Sequence, residues 1–328
     1  MANTQPDGVR LAHPDRLFID GEWIAPAAGG TIAIVSPHNE QLAAIVAEAR
    51  EADMDAAVDA ARHAFDAGPW PRMPVAERAA VLRRMADHLR GRQAELAAAF
   101  VAQIGALASF APVAAAQGTE TLAGYADIGE RYEWETRRPS TLPGNLSVLV
   151  REPVGVVAAI APWNMPYSIM IQKIAPALIC GCTVIMKPAP ETPLEAYLIA
   201  EAAAAAGLPP GVLNLVPAHR DAADHLVRHR GVDKISFTGS TVAGRRIASV
   251  AGERIARVTL ELGGKSPAIV LDEPTAGVDV AILARTITVL SGQVCAMLSR
   301  AIVRAHRVDA IAAGIAAEMQ RVRIGSPL

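Results

Sequence analysis

Val154-Gly155-Val156-Val157-Ala158-Ala159-Ile160-Ala161-Pro162-Trp163-Asn164 is the segment around which the chain organises itself. Val154 to Ile160 is apolar without polar alternation, which marks a strand buried on both faces. A helical stretch follows from about Pro166 to Cys180. The pattern then repeats downstream. Thr183 to Met186 reads as a strand and Leu194 to Ala206 as a helix, stopped by Gly207 and two prolines. Strands at Val212 to Val216, Lys234 to Phe237 and Val258 to Leu260 alternate with helices at Asp221 to Arg228 and Thr241 to Val250. Strands alternating with helices predict an α/β fold with a parallel sheet covered on both faces. Such sheets carry their sites at the carboxyl ends of the strands.

Upstream, Leu17 to Trp23 reads as a short strand entering a turn. Met54 to Ala67, Val75 to Ile104 and Val113 to Arg131 have helical spacing, with alanine and larger apolar residues on one face and charges on the other. Arg137 to Asn145 contains two prolines and a glycine and is predicted as a loop or hairpin tip beside a strand at Leu146 to Arg151. After Gly264 a second unit begins, with a strand at Ala268 to Leu271, a helix near Val278 to Val289, a turn at Cys295 and a strand near Ala301 to Val303.

A chain of 328 residues can bury a large core, and 52% hydrophobic against 20% charged residues excludes wholesale disorder. A net charge of -2 points to neither nucleic acid nor an anionic membrane surface. The polar segment from Met1 to Arg16 has no signal-peptide core, and every apolar run is broken well before spanning length. The odd count of three cysteines suggests no disulfide framework, so a reducing cytoplasm is the expected home.

Several strand ends carry chemistry. Phe237-Thr238-Gly239-Ser240-Thr241-Val242-Ala243-Gly244 is a strand end, a tight turn and a helix start, which suits a pyrophosphate. An isolated turn of this kind would equally be an ordinary serine helix cap. Lys187 ends an apolar strand, where it can donate to ribose hydroxyls or simply be solvated. Asn164, in the rigid Pro162-Trp163-Asn164 turn, has an amide able to donate to an oxyanion. Glu261 ends a strand before Gly263 and Gly264, where a partly buried carboxylate can activate water or can pair with Lys265. Cys295 stands thirty-four positions later, in Ser291-Gly292-Gln293-Val294-Cys295, and as a thiolate would attack a carbonyl. Cys180 and Cys182 flank Gly181 before an apolar strand and read as small buried hydrophobes, with no histidine partners to make a metal site.

In order and spacing these motifs, with Leu17-Phe18-Ile19-Asp20-Gly21-Glu22-Trp23 and Phe65-Asp66-Ala67-Gly68-Pro69-Trp70, resemble the NAD(P)-dependent aldehyde dehydrogenase family from about Leu17 to Leu328. The resemblance implies a cofactor-binding domain over residues 1–132 and 152–262, a β-flap for oligomerisation over 133–151, and the first part of a catalytic α/β domain over 263–328. It implies a small aldehyde as substrate, NAD or NADP as cofactor, Cys295 as nucleophile, Glu261 as general base and Asn164 as oxyanion donor, with Lys173 behind them. Cofactor contacts are implied at Ile160, Trp163, Lys187, Gly239, Ser240, Gly244 and Leu262. Pro190 stands where NAD-preferring members often have a glutamate, with Glu191 one position later, which leaves NAD and NADP both open. Ala218-His219-Arg220-Asp221 replaces a glycine-bearing loop near the adenosine, and Met297 and Leu298 are bulky neighbours of the thiol. The resemblance further implies a member truncated after Leu328, with the rest of the catalytic sheet and the nicotinamide-ribose Glu-x-Phe motif beyond it. From that reading nucleotide binding should outlast catalysis, and a homo-oligomer should need the missing part. Two alternatives stand beside the dehydrogenase: a catalytically impaired paralog that binds nucleotide or other subunits, and a cysteine hydrolase. The hydrolase wants a histidine beside the thiol, and the sequence neighbour, His306, is expected at a strand end without a partner.

Overall fold

The computed structural model describes residues 5–142, 144–271 and 278–328. The chain opens with two hairpins, β1 (Leu17–Ile19) with β2 (Glu22–Ile24) and β3 (Gly30–Val35) with β4 (Leu42–Glu48). Four helices follow: α1 (Glu51–Asp66), α2 (Val75–Gly91), α3 (Gln93–Ile104) and α4 (Ala111–Arg131). A third hairpin, β5 (Glu135–Pro139) with β6 (Leu146–Val150), leads into the alternating region. There β7 (Val156–Ile160), α5 (Pro166–Ile179), β8 (Thr183–Lys187), α6 (Leu194–Ala205), β9 (Leu213–Leu215), α7 (Arg220–Arg228), β10 (Lys234–Gly239), α8 (Thr241–Glu253) and β11 (Arg257–Leu262) run in turn. The last unit pairs β12 (Ser266–Ile269) in parallel with β13 (Leu298–Ile302), with α9 (Val278–Thr288) and α10 (Val308–Gln320) packed together beside it.

The central sheet has the order β11-β10-β7-β8-β9-β1-β2. The five strands from the alternating region are parallel, as predicted, while β1 and β2 add an antiparallel edge. Side-chain alternation divides the core in two. Val157, Ala159, Val184, Met186, Leu213 and Leu215 join one cluster with residues of α2, α4, α5 and α6. Val156, Ala158, Ile160, Ile185, Ile235 and Phe237 join the other with residues of α1, α7 and α8. Both faces of the sheet are therefore dry, which is why the strands read as apolar runs.

The structure departs from the sequence reading at several elements. Leu17 to Trp23 is two strands, because Asp20 and Gly21 both adopt left-handed φ and turn the chain back. The single helix expected from Val75 to Ile104 breaks at Arg92, whose guanidinium binds Glu95, Glu201 of α6 and the Arg10 carbonyl. Part of the expected loop from Arg137 is strand β5, held by its ladder to β6 despite Pro139 at its end. Helix α10 and the hairpin of β3 and β4 lie where no element is predicted, and His306 sits in a 3-10 turn at Ala305–Arg307 rather than at a strand end.

At the base of the sheet Asp233 joins β7 to β10. Its Oδ2 accepts from the Val156 amide at 2.8 Å and from Arg62 Nη1 at 2.6 Å. Gly155 makes room for it: φ is +119°, and a Cβ there would stand 1.8 Å from Asp233 Oδ2. Gly155→Ala is expected to destabilise the protein by about 3 kcal/mol or more, since it combines a backbone strain with displacement of the partly buried Asp233 carboxylate. Urea unfolding of the variant against the parent checks this; a loss below about 1 kcal/mol contradicts it.

Candidate active site

The strand order reverses between β7 and β10, so the loops leaving their carboxyl ends diverge and open a crevice. The register sets Phe237 opposite Ile160, and Ile160 opposite Lys187. Ile160, Lys187, Glu191, Phe237, Ser240 and Arg246 accordingly line one cleft, of about 800 Å³. His219, Arg220 and Asp224 of the α7 end complete its far wall. His219 and Arg220 belong to the loop that the sequence places near the adenosine, whereas Arg246 carries no motif; its helical spacing from Val242 and Ala243 puts it on the cleft face.

Helix α8 begins at this cleft. Ser240 is its N-cap, with Oγ accepting from the Ala243 amide at 3.2 Å. Capping and anion binding are compatible, because the first-turn amides of a helix still point outward. Gly244 lets the helix lie against the sheet edge, where a Cβ would meet the Leu262 side chain at 2.6 Å. Gly239 is close to the Phe237 ring, which a Cβ would approach to 2.5 Å. Gly244 and Leu262 thus set the seat of the helix as a packing pair. Trp163 is half exposed at the mouth of the turn after β7.

Lys187 is buried at the end of β8, and burial pushes its amine down to about 8, an effect that Glu191 opposes. Lys173 on α5 is buried beneath β10. Its Nζ donates to Thr238 Oγ1 at 2.8 Å and approaches Ser236 Oγ at 3.4 Å. Burial lowers this amine to about 8 as well, with Glu261 acting upward and Lys234 downward. Lys173 is therefore buttressing the strand that ends at Gly239 and is electrostatically coupled to Glu261.

The thiol is delivered by a strained turn. Leu290, Ser291 and Gly292 adopt φ of +47°, +56° and +78° in succession. A turn closed by the Met297 amide on the Val294 carbonyl, at 3.2 Å, then exposes Cys295. Asn164 reaches this turn directly: Nδ2 donates to the Gln293 carbonyl at 2.7 Å. On the other side, pairing of Ser266 with Leu298 and the bond from Arg300 Nε to the Lys265 carbonyl, at 2.8 Å, hold the Glu261-Leu262-Gly263-Gly264-Lys265 segment alongside. A Cβ at Gly264 would lie 4.0 Å from the Cys295 carbonyl oxygen. The Asn164 amide thus contacts the turn that carries Cys295, 131 positions away in sequence, while Glu261 at the end of β11 is exposed rather than partly buried, and only the backbone of its segment, at Gly264, comes near Cys295. Cys180 and Cys182 are elsewhere, and burial pushes both thiols up.

The class is an α/β fold with its crevice at the switch point of a parallel sheet and an exposed thiol on a turn bonded by an amide. The particular family follows from comparison. Residues 23–328 match the aldehyde dehydrogenase family, and the chain belongs to it. It is 41% identical over 313 residues to a geranial dehydrogenase of Castellaniella defragrans, covering 95% of this chain and 65% of that one. An aldehyde dehydrogenase C mutant from Pseudomonas syringae, solved with NAD+ and octanal, superposes with a TM-score of 0.92 at 35% identity, over 97% of this chain and 65% of its own. The NAD+ complex of an aldehyde dehydrogenase from Bacillus cereus also gives 0.92 at 35% identity, with the same two coverages. The chain thus spans about two-thirds of the length of these relatives. The family uses NAD or NADP. Among the described residues no helix is long and apolar enough to cross a membrane.

The buried lysines make a stability prediction. Lys187 has a folded-state value of about 8 against 10.5 for the free side chain, so its burial penalty is complete below pH 8 and is relieved as pH rises toward 10.5. Lys187→Met is expected to be more stable than the parent at pH 7, by an advantage that shrinks between pH 8 and 10. Urea unfolding at four pH values measures it; an advantage independent of pH contradicts the assignment.

Proposed function

We propose that this chain carries the cofactor-binding and nucleophile-bearing part of an enzyme that oxidises an aldehyde to a carboxylic acid with NAD(P)+. The observation that carries the reading is the hydrogen bond from Asn164 to Gln293, which holds an amide two residues from an exposed thiol. The domain division expected from the sequence, at residues 132, 151 and 262, is retained in this reading. The hairpin of β5 and β6 is assigned an oligomer contact, because Leu146, Val148, Leu149 and Val150 are all about half exposed or more.

The residues present suit a dinucleotide. Lys187, Arg220 and Arg246 against Glu191 and Asp224 leave the cleft cationic, and the first turn of α8 adds outward amides. Lys187 and Ser240 would hold it, with Ile160 and Trp163 nearby. Pro190 removes a carboxylate that would repel a 2′-phosphate, so NADP is accepted beside NAD. When bound, the nicotinamide supplies the two-electron oxidant.

The chain's own residues then have defined tasks. The Cys295 thiolate adds to the aldehyde carbon and forms a C–S bond, giving a tetrahedral oxyanion. The Asn164 amide, released from Gln293 by rotation, donates to that oxygen and stabilises it by about 3 kcal/mol. After oxidation the acyl group remains on Cys295 as a thioester. Glu261 takes a proton from water, the resulting hydroxide attacks the acyl carbon, and the thiolate leaves with the acid. Lys173 keeps Thr238 and the strand beneath the cofactor in place.

Cys295→Ala is expected to lower aldehyde oxidation more than about a thousandfold while NAD binding persists. Ordinary turnover in that variant removes Cys295 from the role. Glu261→Gln keeps shape and loses the base, so turnover should fall about a hundredfold or more while one equivalent of reduced cofactor appears per site as a burst. Stopped-flow absorbance with an aldehyde panel reads both. Titration of NAD and NADP tests the cofactor assignment, and failure of both to bind overturns it.

A further inference from the structure

Helix α7 has two faces with different jobs. Arg220, Ala223, Asp224 and Val227, spaced as one helical stripe, face the cleft. On the opposite side His225 Nε2 lies 2.5 Å from Asp55 Oδ1 of α1. His229, just past the end of α7, brings its Nε2 to 3.5 Å from the same oxygen. The two rings meet nearly edge to face with centroids 6.1 Å apart. Glu51, one turn before Asp55, approaches His225 Nδ1 at 3.9 Å.

The tautomer of His229 is set by its other nitrogen. Nδ1 accepts from the Gly231 amide at 3.0 Å, so the ring hydrogen is on Nε2, facing Asp55. Gly231 itself is crowded against α1, since a Cβ there would meet Val58 Cγ1 at 2.6 Å. The turn after α7 is thus pressed onto α1 in a form that aims the imidazole at the carboxylate. Helix α7 has nine residues and buries only Ala222, Leu226 and Val227. A helix so short draws its position from tertiary contacts. Two further polar contacts reach it: Asp224 to Arg246 of α8 at 3.1 and 3.2 Å, on the cleft side and open to solvent, and Arg254 Nη2 to the Val227 carbonyl at 3.2 Å.

We propose that Asp55 is a positioning residue for the cofactor: by its hydrogen bond to His225 of α7, with His229 of the following turn close by, it fixes the wall of the cleft that receives the adenosine half of the dinucleotide. This rests on the reading above that the dinucleotide occupies the cleft. Asp55 is not among the cleft-lining residues, so it acts through α7. The sign of its effect separates this role from simple electrostatics. Removing a negative charge near an anion site strengthens anion binding by Coulomb attraction. Removing a positioning contact weakens it.

The test is calorimetric titration of the full chain with AMP. Asp55→Ala should bind AMP about tenfold more weakly than the parent. Asp59→Ala, one turn further along α1 on an exposed site, removes the same charge and should bind as well as the parent or better. Asp55→Glu restores the acceptor and should recover most of the lost affinity. Should Asp55→Ala fail to fold, His225→Asn removes the nearer imidazole and carries the same expectation. Equal or tighter AMP binding by these two variants, even with earlier thermal unfolding, overturns the proposal. A parent chain that does not bind AMP at all overturns the cleft assignment itself, and with it this inference.

Discussion

The parallel pairing of β10 to β7 is the constraint on which the rest of the structure depends. It reverses the strand order, so that loops leaving two adjacent strands depart in opposite directions and leave a crevice between them. It sets Phe237 level with Ile160, which brings the Gly239 turn, the Lys187 strand end and the Pro162-Trp163-Asn164 turn to one edge. Asp233 holds the pairing at its base, taking both the first amide of β7 and a guanidinium from α1. Hydrogen bonds to a charged acceptor contribute about 1.5–3 kcal/mol each, more than a neutral ladder bond. The pairing is long-range in sequence, and it is closed by a charged contact where the apolar core thins out.

The site is built on groups that are costly to hold in place. Two lysines are buried with their amines pushed down to about 8, and three consecutive residues before the thiol adopt left-handed backbone. Left-handed conformations of non-glycine residues are held only where surroundings over-determine them. Here the surroundings are the Asn164 amide on the Gln293 carbonyl and the β12 to β13 pairing with its Arg300 bond. The same contacts bring the Asn164 turn and the Gly264-Lys265 segment against the turn that carries Cys295. Positioning of the turn and assembly of the site are one physical event.

The α/β architecture was legible because both faces of the sheet are buried. Val156 to Ile160 and Thr183 to Lys187 show no polar alternation, and each is followed by a glycine, proline or polar punctuation and then a helical pattern. What escaped was structure decided by partners distant in sequence. The break at Arg92 depends on Glu201, and strand β5 depends on β6 to outweigh its proline. The edge strands β1 and β2 join the sheet through Phe18 opposite Leu215, a contact no local pattern announces. Helix α10 is alanine-rich, and its stretch is readable as helix from composition alone.

By itself the sequence determined which groups are available and in what order: a thiol, a carboxylate, an amide, a lysine at a strand end and a capped helix behind a tight turn. These are local properties of residue type, turn chemistry and periodicity. Only the tertiary structure decided that Asn164 bonds to Gln293, that Lys173 donates to Thr238 and is coupled to Glu261, and that Arg246 joins the wall of the cleft. It alone decided that Asp55 meets His225 of α7 and His229 of the turn after it. The physical reason is that these contacts arise from sheet order and helix packing. Both are set by burial of apolar surface over the whole chain, and neither leaves a trace in the few residues that finally touch.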